Sequence, residues 1–413
     1  MLRRFALYGF LKNQRYFEPF IVLFFLQRGL SFTEIGLLVA VRELCINLME
    51  VPSGAAADLF GRRRAMMLSF GAYIASFAVF GFGRLYWQFV IAMALFALGE
   101  AFRSGTHKAM IFTWLREQDR LDEKTRTYGY TRSWSKMGSA VSTVIAVTVV
   151  FVFQDYSWVF WLAIVPYVAG LVNFLGYPSS LEGQPATRIC ASAVGRHLWT
   201  CVKNTLVLPR LRRLVLESMT FEGVFKAFED YLQPVVRNAA LALPVFIALA
   251  AERRTALLIG LVYVVLYLVS AVASRHAHAW TGRAGGEEGG TRAIWAFAAV
   301  AYVSLVPLLF YERYYIAIAV FVLLALAQNV WRPIQVSRFD EFAGEQEGAT
   351  ILSIESQSKS LATMIVAPMF GASVDLVRLH CTGGEFWPVA AIAGVIAVVM
   401  LLVRNRPSVW TGL

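Results

Sequence analysis

Residues 54–64 read Gly54-Ala-Ala-Ala-Asp58-Leu59-Phe60-Gly61-Arg62-Arg63-Arg64, a basic run set between two long apolar stretches. A glycine followed by three arginines punctuates the chain as a turn. A turn this basic between apolar segments fixes the orientation of a membrane protein, because cytoplasmic loops carry the excess of Lys and Arg. The apolar stretches on either side, roughly 33–57 and 65–83, are each long enough to cross a bilayer, for which about 20 residues suffice.

The whole chain matches that reading. Its 413 residues are 58% hydrophobic and 16% charged, with a mean hydropathy of +0.58. Soluble domains carry about a quarter charged residues, so a soluble enzyme is excluded. Arg3 and Arg4 precede a first helix that holds Lys12, Arg15 and Glu18. No small-residue cleavage site follows, and that helix is expected to stay in the mature protein. The net charge of +11 is not a nucleic-acid signature, since the surplus gathers in alternate loops such as 62–64, 116–126 and 196–213. That asymmetry predicts both termini in the cytoplasm and an even number of spans. Cys45, Cys190, Cys201 and Cys381 have neither paired nor metal-ligand spacing, and His276 with His278 reads as a solvated loop. No metal site, cofactor or nucleophile is expected.

Apolar periodicity and turn signals predict about twelve helices. The first six span roughly 8–28, 33–57, 65–83, 86–112, 128–152 and 156–178. The second six span roughly 213–236, 254–275, 293–311, 314–338, 350–374 and 385–404. This divides the chain into bundles 1–178 and 213–413, joined by a polar, basic connector at 179–212, with a flexible glycine-rich loop at 282–290. The halves echo one another. Phe10, Tyr16 and Pro19 recur as Phe225, Tyr231 and Pro234, and Arg132-Ser-Trp-Ser-Lys136 recurs as Glu355-Ser-Gln-Ser-Lys359. Both echoes fall where a six-plus-six duplication would put them.

The 54–64 run resembles the loop between the second and third helices of the major facilitator superfamily, Gly-x3-Asp-(Arg/Lys)-x-Gly-x-(Arg/Lys)-(Arg/Lys). Leu59 departs from it where a basic residue is usual. The resemblance implies an all-α integral membrane fold of two six-helix bundles that works as a monomer by alternating access. It also implies that Gly54, Asp58, Gly61, Arg62 and Arg63 form a conformational gate. Two further departures argue against routine drug efflux. The fifth helix lacks the glycine–proline pattern of the superfamily's drug–proton antiporters, and Leu95 stands where their fourth helix carries an arginine.

Charges at the bilayer centre cost about 2.5–3.5 kcal/mol each on insertion scales, and this chain has many. Glu43, Asn47 and Glu50 stripe the second helix. Glu100, Arg103 and His107 stripe the fourth, Arg132, Lys136 and Ser139 the fifth, and Glu222, Lys226 and Glu229 the seventh. Gln328 and Arg332 lie on the tenth helix, Glu355 and Lys359 on the eleventh. Stripes of this kind face other helices or water. The family architecture places these helices around the central cavity. Arg103, Arg132 and Arg332, with Glu100, Gln328 and Lys226, are the candidate substrate contacts, for a polar anionic or zwitterionic metabolite. Glu18, Glu43, Glu222, Asp230 and Glu355 are candidate proton carriers, because a carboxyl in a partly dry cavity loads and releases a proton more readily. Structural pairing of these charges competes with both roles, and snorkelling is the plain reading of Lys108 and Arg338. Three functions stay open: a proton-coupled metabolite transporter of a bacterial-type inner membrane, a drug or siderophore exporter, and a non-transporting receptor on the same fold.

Overall fold

The computed structural model describes residues 1–104, 106–120, 123–182, 209–244, 247–275, 282, 285–340, 348–380 and 383–404. Most of the connector, Cys190, Cys201, Cys381, His276, His278 and the side chain of Asp58 lie outside the described residues. All regular structure described is helical. The helices are α1 (Leu2–Lys12), α2 (Ile21–Gln27), α3 (Phe32–Phe60), α4 (Arg62–Phe82), α5 (Tyr86–Arg103), α6 (Thr106–Glu117), α7 (Lys124–Phe153) and α8 (Trp158–Leu175). They continue as α9 (Pro209–Ser218), α10 (Val224–Phe228), α11 (Leu232–Ala242), α12 (Ala251–Arg275), α13 (Glu287–Phe310), α14 (Tyr314–Asp340), α15 (Gly348–His380) and α16 (Trp387–Arg404).

Among the described residues, nine helical stretches are long and apolar enough to cross a membrane. The other three expected spans are those with broken or heavily charged helices. The first is interrupted between α1 and α2. Pro19 lacks an N–H, its ring crowds the carbonyl of Arg15, and it disfavours helical geometry at Glu18, so residues 13–20 turn instead. The second, α3, is continuous but carries Glu34, Arg42, Glu43 and Glu50. The seventh is a string of short pieces: α9, a π-helical turn at Met219–Gly223, α10, a 3-10 turn at Glu229–Tyr231, then α11. Of the echoed residues, Tyr16 and Pro19 lie in the first break and Tyr231 in the 3-10 turn, while Phe10, Phe225 and Pro234 are α-helical.

Gly61 alone separates α3 from α4, with φ at +93°, a conformation that a side chain would strain. The 282–290 segment is shorter as a loop than its composition suggests. α13 begins at Glu287, whose acidic first turn suits the positive end of the helix dipole.

Two compact units form. Among the described residues the first comprises 1–30, 41–182 and 248–260, and the second 31–40, 209–244 and 261–404. Unit 1 has an aromatic core: Phe24 and Phe80 both pack on Phe160 with ring centroids 4.7 and 4.8 Å apart, and Tyr73 meets Tyr167 at 5.1 Å. Buried aromatic pairs add about 0.5–1.5 kcal/mol beyond area burial. α1 crosses α7 closely, since a Cβ on Gly138 would stand 2.5 Å from the carbonyl oxygen of Phe10. Small residues permit that approach within a membrane, and it brings Lys12 beside Arg132 and Lys136. Unit 2 is centred on Trp295 and Trp331, both buried, with Phe221 stacked on Trp331 at 4.7 Å and Phe228 on Phe321 at 4.5 Å.

Candidate functional site

Unit 1 contains a cavity of about 400 Å³ walled by α1, the α5–α6 junction and α7. Five cationic side chains line it, Lys12, Arg103, Lys108, Arg132 and Lys136, with no carboxylate among the described lining residues. The α1–α7 crossing presents Lys12 from one wall and Arg132 and Lys136, one helical turn apart, from the other. Arg103 is held from behind. Its guanidinium pairs with Glu100, which Arg15 also pairs, and its Nε donates to the Tyr73 hydroxyl at 3.2 Å. Lys12, Arg132 and Lys136 make no ion pair among the described residues. Tyr8 stacks on His107 at 3.7 Å beside the cations, and His107 Nε2 lies 3.3 Å from the Tyr177 hydroxyl. Tyr177 lies past the end of α8, and burial pushes its phenol well above the ordinary range.

Unit 2 gathers charge differently. Glu355 is 1% exposed and accepts from Ser218 Oγ at 2.5 Å, from Arg332 Nη2 at 3.2 Å, and from Lys359 Nζ at 3.2 Å as an ion pair. Glu222 projects from the π-helical turn to Lys359 Nζ at 2.7 Å and Arg332 Nη1 at 3.3 Å. Two carboxylates and two cations therefore close on one another. One atom is left over: Glu222 Oε1 is buried with no hydrogen-bond partner. π-helical turns of this kind recur at functional positions in helices.

A second network in unit 2 joins α9, α13, α14 and α16. Glu217, fully buried, binds Arg213 at 2.9 Å and Arg338 at 2.6 Å. Glu288 binds Arg213 at 3.0 Å and Arg338 at 2.9 Å, and also pairs with Arg404. Arg338 is 5% exposed. It does not snorkel; three side chains satisfy it, Gln335 included. Lys108 lines the cavity with its ammonium 5.6 Å from the Phe112 ring centroid.

The candidate residues divide accordingly. Arg103 and Arg132 line the unit 1 cavity, while Glu100 sits behind it as the partner of Arg103 and Arg15. Arg332 belongs to unit 2 and is bonded to Glu222 and Glu355. Gln328 and Lys226 are half-buried in unit 2. Glu18, at 47% side-chain exposure, pairs with Arg15 at 3.3 Å. Glu43 is buried against Arg42 at 2.9 Å, and Asp230 is half-buried within the 3-10 turn. In the 54–64 run, Arg62 donates to Thr113 Oγ1 at 2.8 Å and Arg63 to the Tyr177 carbonyl at 3.1 Å, within unit 1. Lys12 and Lys136, not singled out as contacts, are the cations nearest in kind to Arg132. Their signal was present in the sequence as intramembrane lysines with no acidic residue three or four positions away.

The Major Facilitator Superfamily pattern matches residues 13–367. YxaM of Bacillus subtilis (strain 168), an uncharacterised MFS-type transporter, is 32% identical over 99 residues, which is 24% of this chain and 24% of that relative. The chain thus matches about a quarter of that relative's length. Among solved structures, the nucleoside transporter NupG superposes with a TM-score of 0.71 at 12% identity, covering 98% of this chain and 97% of that one. The peptide transporter POT in complex with sulfate gives 0.68 at 12% identity, covering 99% and 95%. At these identities the likeness is one of fold. With the superfamily pattern running through most of its length, the chain belongs to the Major Facilitator Superfamily and is a multi-pass, non-enzymatic membrane transporter.

Proposed function

We propose that this transporter carries a small polar anion by alternating access and couples the movement to protons. The observation that carries the reading is the unit 1 cavity, which five cationic side chains line with no carboxylate among its described lining residues. Arg132 and Lys136 are exposed and Lys12 is half-buried, and the repulsion among cations that meet no carboxylate at ion-pair distance among the described residues is relieved when an anion enters. Arg103 and Arg132 are the directional contacts, and Lys12 and Lys136 add charge. A hydrophobic-drug site would need none of these. The peptide transporter POT, which shares this fold, was solved in complex with sulfate, an anion.

Glu222 is the proton carrier in this reading. Of the candidate acids it retains a buried oxygen with no partner, to which a proton can add while the other oxygen keeps Lys359. Glu355, with Arg332, Lys359 and Ser218 around it, is the fixed counter-charge, and Arg332, Gln328 and Lys226 complete the polar lining of unit 2. Gly54, Asp58, Gly61, Arg62 and Arg63 serve as the gate. The protein acts as a monomer in a bacterial-type inner membrane, with both termini cytoplasmic, bundles at 1–178 and 213–413, and no nucleic-acid partner.

Thermal-shift titration of the purified protein against anionic, zwitterionic, cationic and neutral metabolites tests the substrate sign, since ligands that prefer the folded form raise its melting point. Stabilisation by anions that disappears in Arg132→Gln is expected. Stabilisation by hydrophobic cations alone refutes the reading. In proteoliposomes, an imposed pH gradient drives uptake of a stabilising anion in the wild type and not in Glu222→Gln; equal driving in both removes Glu222 from the coupling role.

A further inference from the structure

We infer that the unit 1 cavity is built for a phosphate monoester borne on a hydroxylated body, a narrower class that rests on the anion reading above. Two features of the wall carry it. The first is the amount of charge. Arg103 is offset by Glu100, but Lys12, Arg132 and Lys136 have no carboxylate within ion-pair distance among the described residues, and Lys108 adds a third ammonium to the lining. A carboxylate brings one charge and two oxygens, so most of that positive field would stay uncompensated. A phosphate monoester brings close to two charges at neutral pH and three terminal oxygens, enough for a bidentate guanidinium and an ammonium at once.

The second feature is the chemistry of the neutral groups in the same wall. Ser135 Oγ donates to the Thr131 carbonyl at 3.2 Å, Ser139 Oγ donates to the Ser135 carbonyl at 3.3 Å, and Asn13 Nδ2 donates to the Gly9 carbonyl at 2.7 Å. The serine protons are committed to the backbone, so what Ser135 and Ser139 still offer the cavity is acceptor lone pairs, while Asn13 keeps its side-chain carbonyl and one N–H. The serine oxygens repel an oxyanion and suit O–H donors. The cavity is therefore two-faced, with donors of positive charge for the anionic head and acceptors for a body rich in hydroxyls. A volume of about 400 Å³ accommodates a metabolite with both parts.

The test uses the full-length protein in nanodiscs and three probes that share one ring: glucose 6-phosphate, glucuronate and glucose. Affinities are measured by isothermal titration near pH 7.5. The expected order is glucose 6-phosphate at least tenfold tighter than glucuronate, with glucose weakest. Acidification below the second phosphate pKa of about 6 should narrow the gap, because the ester then carries one charge. Lys136→Gln should reduce the preference to a few-fold, and Lys136→Arg, which keeps the charge, should restore it. That pair separates lost charge from lost folding. If glucuronate binds as tightly as the phosphate and both weaken in Arg132→Gln, the dianion class is wrong and the anion reading stands. If neither anion binds better than glucose, both fall.

Discussion

Arg132 and Lys136 on α7 stand in the same relation as Glu355 and Lys359 on α15, four residues apart and at echoing positions of the two halves. The first pair faces a cavity and meets no carboxylate; the second is closed by Arg332, Glu222 and Ser218. Identical spacing on an equivalent helix has produced an open site in one unit and a sealed cluster in the other. The difference lies in the sign of the first residue and in the second carboxylate, Glu222, that the π-helical turn brings to the cluster. Opposite charges brought together in a dry interior satisfy each other and leave little for a ligand. Like charges leave their capacity to whatever enters.

That contrast can be broken by substitution. The largest expected effect is in the closed cluster, where Glu355→Gln leaves Arg332 and Lys359 with Glu222 as their one carboxylate partner in the cluster. Breaking a buried pair costs about 3–5 kcal/mol, read as a lower unfolding midpoint in detergent. The same removal of charge in the open site should scarcely move stability. Arg132→Gln with Lys136→Gln should instead weaken anion binding by roughly 10–100-fold, the range of one or two charge-assisted hydrogen bonds. An equal loss of stability in the two variants would erase the distinction.

A finer test converts one site toward the other. Arg132→Glu places an acid four residues before Lys136, as Glu355 precedes Lys359, and should abolish anion binding while helix stability rises by about 0.2–0.5 kcal/mol. The smallest effect lies outside both sites. Arg120 Nη2 pairs with Glu123 at 2.7 Å in the α6–α7 connection, and the hydrogen bond from Arg120 holds the Glu123 carboxyl below its usual range. A depressed carboxylate contributes stability above its unfolded pKa and loses it as pH falls through the folded value. Glu123→Gln should therefore leave the melting point unchanged at acidic pH and lower it barely, if at all, at neutral pH.

Much of the fold was legible because its signals are local. The 54–64 run and the apolar periodicity each need only neighbouring residues. The stripes lie on helices whose charged side chains gather in the unit 1 cavity and in the unit 2 cluster. What could not be read was who pairs with whom. Arg15 reaches Glu100 and Arg338 reaches Glu217, partners 85 and 121 residues away. Helical periodicity gives the face of a side chain, not the helix opposite it. For the same reason Arg338, read alone, resembled a snorkelling residue at a helix end, although three other helices supply the network around it.

The interruption of the first span has a consequence for how durable the open site is. Because the chain leaves helical geometry after Lys12, that residue sits in the last turn of α1, whose final carbonyls are met by turn N–H groups and by the side chains of Asn13 and Tyr167 rather than by a further helical turn. Such an end carries roughly half a negative charge, which steadies a cation without any acidic side chain. A carboxylate partner can be lost through one base change, whereas this one is made of main chain and survives every substitution that keeps the break. The exposed route to losing it is through Pro19. Pro19→Ala would let the helix run on past residue 13, draw those carbonyls into ordinary hydrogen bonds, and strip Lys12 of its only neutralising neighbour that mutation cannot directly reach.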